Sequence, residues 1–388
     1  MRVILVNKYA RVTGGSDVIC LGLAKGLRER GHEVALLSTA DERNLDHHGI
    51  FIPRTVTNDT RGEMAGTKAA TIAGKALWNA TAAAATRQLI GSLRPDIVHV
   101  HKLYPQLSVA PVVVASHLGI PIVQTVHDYE FISASPLDDT GSWRDREEEQ
   151  LAYRSLNTLL FGVKRLIHSP RIDGWISVSR STAQAYHERG IATIVLPNFT
   201  DQFAGRFPSF RDRQGILFMG RLSEEKGIRH VLELPRHLSS IFPIMIAGEG
   251  PLQDEVQRAA DASPCITYLG KLNREDVARQ LASVRMVVMP SLWREPGPLA
   301  ALEAMAAGTP LIVYDNGGLA EYVADAAAGI IVAPVVTSMA NAITSLYDDS
   351  QRWEKFSANA SDAVERDHTL SVYLDRLEKI YSDSRKPR

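Results

Sequence analysis

The chain has 388 residues, a length that favours two domains, each with its own hydrophobic core. Lysine and arginine total 43 against 44 aspartates and glutamates, and this balance excludes a global attraction to nucleic acid or to an acidic membrane. Cys20 and Cys265 have neither a zinc nor a disulfide spacing, which favours a reducing, cytoplasmic location. The N-terminus lacks the pattern of a secretory signal, and no run approaches the roughly 20 apolar residues of a membrane span.

Short β-branched runs alternate with helical stretches along the whole chain, a pattern typical of βαβ units in parallel sheets. The strands predicted in the first half are RVILVN (2–7), EVALLS (33–38), DIVHVH (96–101), PIVQTV (121–126) and GWISVS (174–179). Those predicted in the second half are GILFMG (215–220), PIMIAG (243–248), CITYLG (265–270), MVVMPS (286–291), PLIVYD (310–315) and GIIVAP (329–334). Both halves are therefore predicted to be α/β.

The segment at 200–215 is rich in glycine, proline and charge, which indicates a linker between domains. We therefore predict an N-terminal domain at 1–200 and a C-terminal domain at 201–368. Two Rossmann-like domains that face each other would leave a cleft at the carboxyl ends of their strands, where open α/β sheets bind ligands.

Three helical segments lie outside this alternation. The last one, at 369–388, is predicted to be an amphipathic helix that docks on the protein, because it has apolar residues at helical spacing: Leu370, Leu374, Leu377 and Tyr381. The alanine-rich segment at 67–90 predicts a buried helix, and the segment at 144–171 predicts a solvated helix face with basic residues near its end, namely Lys164, Arg165, His168 and Arg171. The alternative for these two is a surface that contacts lipid or an acceptor, which would give the N-terminal domain a peripheral membrane contact.

Several common chemistries have no motif in this sequence. There is no GxxxxGK[ST] and no GxSxG, and GEGPLQ (248–253) lacks the final glycine of GxGxxG. The absence of any Asp-x-Asp favours metal-independent binding of phosphate. His99 and His101 point to one face of a strand without a third ligand nearby, so hydrogen-bonding roles are favoured over a metal site.

Two short motifs follow strands at the end where α/β sheets place ligands. His127 and Asp128 come directly after PIVQTV, and either a ligand contact or a bond to a loop carbonyl explains the histidine. Gly14 and Gly15 follow the first strand, where glycine allows close approach of a ligand to the backbone. A plain tight turn explains the two glycines equally well.

The motif GRLSEEKG (220–227) connects a predicted strand to the helical pattern IRHVLELPRHL (228–238). Arg221 and Lys226 would lie there beside free amides at a helix start, which favours an anion such as a diphosphate. A solvated loop of charged residues is the alternative.

The stretch WREPGPLAALEAMAAGTP (293–310) contains two glutamates separated by prolines. Pro296 and Pro298 exclude one continuous helix, so Glu295 is predicted in a loop and Glu303 in the second turn of a helix that begins near Pro298. Each carboxylate could accept the two hydroxyls of a sugar diol, and the backbone amides at 297–300 could face phosphate or sugar oxygens. Glu303 lies in apolar surroundings, LAALEAMAAG, and therefore needs partners.

Together, GRLSEEKG, AGEGPL, PS-x-x-x-E-x7-E-AMAAGTPLI and NGGLAEYV, with an N-terminal GG loop, RGHEV, HD and PNF, resemble the retaining glycosyltransferases of family 4. The resemblance extends over almost the whole chain and is densest at 215–334. It implies the GT-B fold, with two Rossmann-like domains whose parallel sheets face a central cleft. The N-terminal domain would bind the acceptor and the C-terminal domain the nucleotide-diphosphate sugar, while the final helix returns to the first domain.

The resemblance also implies roles for individual residues. Arg221 and Lys226 would hold the diphosphate, Glu303 the ribose hydroxyls, and Glu295 the donor sugar. Further donor contacts are implied for the glycine loop, the loop after ITYLG and the helix start, namely Gly14, Gly15, Gly270, Lys271, Leu272, Gly297, Pro298, Leu299 and Ala300. His127 would contact the sugar near the reacting carbon, so the catalytic set is His127, Glu295, Arg221 and Lys226.

The implied reaction transfers a sugar from a UDP- or GDP-sugar to a hydroxyl of a small-molecule, glycan or lipid-linked acceptor, with retention of configuration. The diphosphate leaves an oxocarbenium-like sugar, and the acceptor hydroxyl enters on the face that it vacates. No metal or other cofactor is implied. The alternatives are a nucleotide-sugar epimerase of the same fold and a nucleotide-sugar-binding protein without catalysis.

The sequence departs from the common family pattern in three places. EPGP replaces E-G-F-G, so Gly297 stands in place of an aromatic residue; Asp17 replaces a glutamate; and Phe199-Thr200 replaces Gly-Val. These departures leave the donor sugar open more than the activity.

Overall fold

A computed structural model describes residues 1–55, 67–134, 151–200, 208–238 and 242–384, with the backbone alone at 67–70 and 151–156. Its internal contacts divide the chain into two compact units. Unit 1 comprises Met1–Pro197 together with Tyr373–Arg388, and unit 2 comprises Asn198–Val372. No helix in the described ranges is long and apolar enough to cross a membrane.

Unit 1 is built on a parallel sheet. Its strands are β1 (Arg2–Tyr9), β2 (Glu33–Thr39), β3 (Gly49–Ile52), β4 (Ile97–Val100), β5 (Ile122–Val126), β6 (Gly174–Ser177) and β7 (Ile194–Val195). The order across the sheet is β3-β2-β1-β4-β5-β6-β7, and every described pair is parallel. The central strands are buried on both faces, which explains their nearly continuous apolar sequences.

The helices of unit 1 connect these strands. They are α1 (Gly15–Glu29), α2 (Thr67–Leu77), α3 (Ala80–Leu93), α4 (Ala110–His117), α5 (Leu151–Val163) and α6 (Arg180–His187). All five predicted strands of this half are present. The two strands that the prediction missed, β3 and β7, are short and lie at the sheet edges, where no long apolar run is needed.

The alanine-rich segment at 67–90 forms two helices, so the prediction of one buried helix is wrong. Asn79 lies between α2 and α3, and its side-chain oxygen accepts a hydrogen bond from the Ala82 amide at 3.1 Å. Its side-chain nitrogen donates to the Gln106 carbonyl at 2.9 Å. An asparagine at this position is a strong helix start, and it divides the segment.

The segment at 144–171, predicted as one helix with a solvated face, has a different structure at its basic end. Residues 144–150 lie outside the described part. After α5 the backbone forms a π turn, Lys164–His168, and a 3₁₀ turn, Ser169–Arg171. Lys164 and His168 are buried, so this segment is not simply a solvated helix face. The Lys164 ammonium lies 2.8 Å from Glu130 Oε2, a partner that is distant in sequence.

Unit 2 contains a second parallel sheet. Its strands are β8 (Ile216–Met219), β9 (Ile244–Ala247), β10 (Ile266–Gly270), β11 (Met286–Met289), β12 (Leu311–Tyr314) and β13 (Gly329–Val332), in the order β10-β9-β8-β11-β12-β13. The helices are α7 (Ile228–Glu233), α8 (Gln253–Ala262), α9 (Arg274–Ser283), α10 (Leu299–Ala306), α11 (Gly317–Ala326), α12 (Val336–Tyr347) and α13 (Ser350–Asp367). All six strands predicted for this half are present.

Alternate residues of the unit 2 strands pack into different apolar clusters. Ile216 and Phe218 join one cluster with Val288, whereas Leu217 joins the other with Val287. This is the two-residue period of a strand with a core on each face. The sheet is therefore covered by helices on both faces.

Part of the predicted linker at 200–215 is structural. Residues 201–207 lie outside the described part, but Arg213 is fully buried in unit 2. Its guanidinium donates to Thr309 Oγ1 at 2.7 Å and to the Ala307 carbonyl at 2.8 Å. Arg213, one of the charged residues that suggested a linker, is therefore a buried residue that attaches this segment to unit 2.

The terminal helix, α14 (Leu370–Ser384), has the predicted amphipathic form, with buried residues Tyr373, Leu374, Leu377, Ile380 and Tyr381. The Tyr381 hydroxyl lies 2.7 Å from His99 Nδ1. On its polar face, Arg30 is 2.7 Å from Asp375. The helix is therefore held within unit 1 by both apolar and polar contacts.

Candidate active site

In unit 2, the loops after β8 and β9 are in close contact at Gly220 and Gly248. Gly248 has a φ of +140°, and a Cβ there would lie 1.8 Å from the Gly220 carbonyl oxygen. The Leu222 amide donates to the Glu249 carbonyl at 3.0 Å. The motif AGEGPL therefore fixes the backbone of the loop that carries Arg221.

Arg221 and Ser223 in this loop have unused polar groups. Arg221 is exposed, and its guanidinium has no hydrogen-bond or ion-pair partner among the described residues. Ser223 is 5% exposed, and its shielded hydroxyl has no partner there either. Since a buried unpaired hydroxyl destabilises the fold, a ligand that accepts its hydrogen bond would explain it.

Lys226 and Glu295, both predicted site residues, are in direct contact. The Lys226 ammonium forms an ion pair with Glu295 Oε1 and lies 5.2 Å from the centre of the Trp293 ring. Ser291 Oγ donates to the same carboxylate oxygen at 2.6 Å. Glu295 is 2% exposed, so its charge depends on these partners.

The start of α11 holds the backbone of Glu295 in place. The Gly318 amide donates to the Glu295 carbonyl at 2.6 Å. Gly317 has a φ of +66°, and a Cβ there would lie 2.5 Å from that carbonyl oxygen. The glycines of NGGLAEYV are therefore required by the close approach of the two loops.

The segment after Glu295 starts a helix as predicted, with Pro298 at its N-cap position and Glu303 in its second turn. The Asn198 side-chain amide donates to the Gly297 carbonyl at 2.8 Å, so the PNF motif positions this turn. Leu299 and Ala300 are in the first helical turn, where amides have no partner within the helix. Pro298 has no amide hydrogen and can contribute only its shape and its carbonyl.

Glu303 is half-buried and has no hydrogen-bond or ion-pair partner among the described residues. Burial raises the pKa of its carboxyl, and the charge of Arg274 lowers it only in part. Arg274 begins α9, directly after the loop that contains Gly270, Lys271 and Leu272. Of that loop, Lys271 is exposed and pairs with Glu249 at 3.0 Å.

In unit 1, α1 begins at Gly15, and a Cβ at Gly14 would meet nothing within 4 Å. The loop is held by Asp17, which is buried and accepts hydrogen bonds from Asn7 Nδ2 at 2.9 Å and the Thr13 amide at 2.9 Å. Asp17 thus positions the glycine loop, and both glycines are exposed.

His127 lies at the carboxyl end of β5 beside a second histidine. Its Nε2 is 3.0 Å from His101 Nδ1, and the two rings stack with centroids 5.2 Å apart. Burial lowers the pKa of His101 to about 3, and burial together with His101 and Lys102 holds the pKa of His127 well below its usual range. Both rings are therefore neutral at pH 7.

His99 has both ring nitrogens occupied, as the prediction of hydrogen-bonding histidines requires. Nδ1 pairs with the Tyr381 hydroxyl and Nε2 with Thr125 Oγ1 at 2.8 Å. His101 Nε2, in contrast, is shielded and has no partner in the described ranges. Among the described residues, no three His, Cys, Asp or Glu side chains are placed so that they could hold one metal ion together.

A charged network lies beside His127. Lys102 forms an ion pair with Asp128, and Lys164 pairs with Glu130. Burial opposes ionisation of Glu130, but the charges of Lys164, Lys102 and Lys8 lower its pKa to about 2. The carboxylate is therefore ionised at neutral pH.

Comparison with known proteins identifies the family of this chain. The family model for glycosyltransferase family 4 matches residues 13–202, and the model for glycosyl transferases group 1 matches residues 201–363. The chain belongs to the family 4 glycosyltransferases. It is an enzyme of this class, and its two parallel α/β sheets are those of the GT-B fold.

Relatives of this glycosyltransferase include a phosphatidyl-myo-inositol mannosyltransferase from Mycolicibacterium smegmatis, 27% identical over 98% of this chain and 93% of the relative. An alpha-D-kanosaminyltransferase from Streptomyces kanamyceticus is 26% identical over 70% of this chain and 73% of the relative. Among solved structures, Anabaena HepE in complex with UDP has a TM-score of 0.69 at 16% identity, over 99% of this chain and 100% of that chain.

The predicted site residues of the glycosyltransferase fall into two groups, one in each unit. Unit 2 brings Lys226 into contact with Glu295 and places the other predicted residues of this unit in the loops and helix starts that follow β8, β10 and β11. Unit 1 places Gly14, Gly15 and His127 after β1 and β5. The sequence analysis missed Ser223, Ser291, Asn198 and Arg274, whose roles depend on contacts with residues distant in the chain or on the burial of the side chain. It predicted a hydrogen-bonding role for His101 but not the contact of His101 with His127.

Proposed function

We propose that this glycosyltransferase moves a sugar from a UDP- or GDP-sugar to an acceptor hydroxyl with retention of configuration. Three observations after β8 carry the proposal. The Arg221 guanidinium and the Ser223 hydroxyl have no partner among the described residues, and Lys226 pairs with Glu295. Cations beside a shielded hydroxyl suit a diphosphate. Binding of UDP by the HepE relative supports a nucleotide donor.

In this reaction the bond between the sugar carbon and the diphosphate oxygen breaks, and the acceptor oxygen bonds to the same carbon on the same face. Arg221 and Lys226 would stabilise the charge that develops on the leaving diphosphate. The leaving phosphate would take the proton of the acceptor hydroxyl. Unit 2 would therefore bind the donor, and unit 1 the acceptor.

Glu295 would contact protein side chains through one carboxylate oxygen and the donor sugar through the other. Its Oε1 accepts from Lys226 and Ser291, which orients the carboxylate. Oε2 has no such contact among the described residues and is the oxygen that would accept donor-sugar hydroxyls. Gly297 lies two positions after Glu295, where the family pattern has an aromatic residue, so we propose that this position contributes to the choice of sugar.

We expect transfer to be independent of divalent metal, because Arg221 and Lys226 provide the positive charge that a metal would otherwise supply. Activity in excess EDTA should equal activity in added Mg²⁺ or Mn²⁺. The assay is release of nucleoside diphosphate with acceptor present. Loss of activity in EDTA and its recovery on adding one of these ions would contradict the expectation.

His101 is expected to set the tautomer of His127. Because an unpaired buried N–H destabilises more than an unpaired ring nitrogen, we infer that His101 carries its proton on Nδ1 and donates it to His127 Nε2. His127 then carries its proton on Nδ1, which has no partner among the described residues and could donate to a donor-sugar oxygen.

His101→Phe should therefore lower kcat about tenfold, the effect of one misoriented hydrogen bond, with a smaller change in donor KM. Nitrogen-15 spectra of the histidine rings should show an Nδ1–H tautomer for His127 in the wild type and a mixture in the variant. His187→Phe, on the end of α6, is the control. An Nε2–H tautomer for His127 in the wild type would contradict the inference.

A further inference from the structure

A pocket in unit 1 is rich in arginine and is lined by none of the predicted site residues. Its volume is about 800 Å³, and it lies in the loops that follow β2 and β3. The lining residues used below are Asp41, Glu42, Arg43, Phe51 and Arg54. Its size is in the range of pockets that bind small molecules, roughly 300 to 1,000 Å³.

Three guanidinium groups converge on the single carboxylate of Asp41. Arg43 Nε lies 3.0 Å from Oδ1, while Arg11 Nε and Arg54 Nη1 lie 2.8 and 3.3 Å from Oδ2. The hydrogen bond from Arg43 holds the pKa of Asp41 well below its usual range. Arg11 contacts Asp41 but does not line the pocket, so with the exposed Glu42 the whole cluster has three positive charges and two negative ones.

The arginines have more donors than Asp41 can use. Each guanidinium has five N–H groups, and a carboxylate offers about four lone-pair positions. Arg11 Nε is shielded from solvent, and although it is close to Asp41 it donates no hydrogen bond within the described residues. The side chains of Arg43 and Arg54 are 67% and 32% exposed. Asp41 therefore gathers the arginines and leaves donors for another anion.

The position of the cluster in the sheet also favours a ligand. Arg11 follows β1, Asp41 follows β2, and Arg54 follows β3. These are adjacent parallel strands, and all three residues lie at their carboxyl ends, the end at which open α/β sheets bind ligands.

We propose that this pocket binds an oxyanion of the acceptor, a carboxylate or a phosphate ester, and that the acceptor is an acidic or phosphorylated sugar. The arginine fork matches the geometry of both groups. Phe51, half-buried at the wall, offers an apolar surface to the sugar that carries the anion. The inference rests on the proposed function, in which unit 1 binds the acceptor.

The test compares three acceptors, a hexose, the matching hexuronic acid and the matching hexose 6-phosphate, with the full chain and the nucleotide sugar that gives the largest thermal shift. We expect a KM for one charged acceptor at least about tenfold below that of the hexose, with Arg43→Gln or Arg54→Gln removing this preference. Which charged acceptor is preferred identifies the oxyanion.

Glu42→Gln should change the KM in the opposite direction, lowering it for the charged acceptor by about twofold to threefold, because it removes a neighbouring negative charge. Arg2→Gln, at the amino end of β1, makes the same charge change as Arg43→Gln and Arg54→Gln. It is the matched control for those two variants and should have no effect. Equal KM values for all three acceptors, or an equal rise for all three in Arg54→Gln, would overturn the proposal.

Calorimetric titration with inorganic phosphate separates the pocket from the proposed function. Any phosphate that binds in unit 2 binds equally to the wild type and to Arg54→Gln. The difference between their two titrations therefore measures binding in this pocket. A weaker titration in Arg54→Gln without transfer to any acceptor would leave the pocket in place and overturn the proposed function. Identical titrations, with transfer intact, would overturn the pocket alone.

Discussion

Lys226→Ala and Arg221→Ala are each expected to lower kcat/KM for glycosyl transfer by roughly 10² to 10³. Arg221 lies in the loop after β8, whose backbone is held by Gly248 and Leu222, and Lys226 lies in the short turn that follows this loop. The proposed reaction develops negative charge on the leaving diphosphate, and each cation would stabilise that charge more than it stabilises the bound substrate. Initial rates over a range of donor concentrations measure the effect.

The two variants should differ in stability. This difference shows whether a lower rate comes from the missing positive charge or from a destabilised fold. Lys226→Ala leaves the buried Glu295 without its cation and should lower the free energy of unfolding by about 2 to 3 kcal/mol, less than for a fully buried pair because Lys226 is partly exposed. Arg221 is exposed and has no partner among the described residues, so Arg221→Ala should unfold like the wild type.

The double variant Lys226→Met with Glu295→Gln provides the control. It removes both charges and should recover most of the lost stability while activity stays low. Near-wild-type rates in Arg221→Ala, or recovery of activity in the double variant, would contradict the assignment of these cations to the diphosphate.

The sheets of both units were predictable because the central strands are buried on two faces. A strand in this position needs a continuous apolar run, as in RVILVN or MVVMPS, and such runs are easy to find. Strands β3 and β7 lie at the sheet edges and lack this requirement. The division of the segment at 67–90 also escaped prediction, since the capping role of Asn79 competes with the helical preference of the alanines around it.

For the site, the sequence predicted the residues with local signals and missed those with only distant partners. Pro296 and Pro298 determine where α10 begins, so the separate positions of Glu295 and Glu303 followed from chain geometry alone. The Lys226–Glu295 contact joins residues 69 positions apart. Nothing near either residue in the sequence specifies it.

Three polar side chains without partners among the described residues lie where the donor is proposed to bind. The guanidinium of Arg221, the hydroxyl of Ser223 and the carboxylate of Glu303 lack partners among the described residues of unit 2. A buried group without a partner lowers stability, so Ser223 and the half-buried Glu303 are better explained by a ligand than by the fold. Arg221 is exposed, and its guanidinium is open to the same ligand. The same reasoning gives opposite expectations for stability and binding at Glu303.

Glu303→Gln should stabilise the free protein and weaken its binding of nucleotide. Burial raises the pKa of the Glu303 carboxyl, so ionisation of this group at neutral pH destabilises the folded state. As the pH falls through the raised pKa toward the unfolded value near 4.5, the folded protein takes up the proton first and the penalty disappears. The gain in Tm from Glu303→Gln should therefore be largest near pH 8 and vanish near pH 4.5 (about the unfolded value).

The same substitution should raise the Kd for UDP or GDP by roughly tenfold to a hundredfold, because a charged acceptor of the ribose hydroxyls is lost. Wild-type affinity should also fall as the pH is lowered through the raised pKa, while affinity of the variant should not. Glu275→Gln, an exposed residue in the first turn of α9, is the matched control and should change neither quantity. A lower Tm with unchanged nucleotide affinity in Glu303→Gln would show instead that Glu303 serves the fold, and the ribose would have to be bound elsewhere in unit 2.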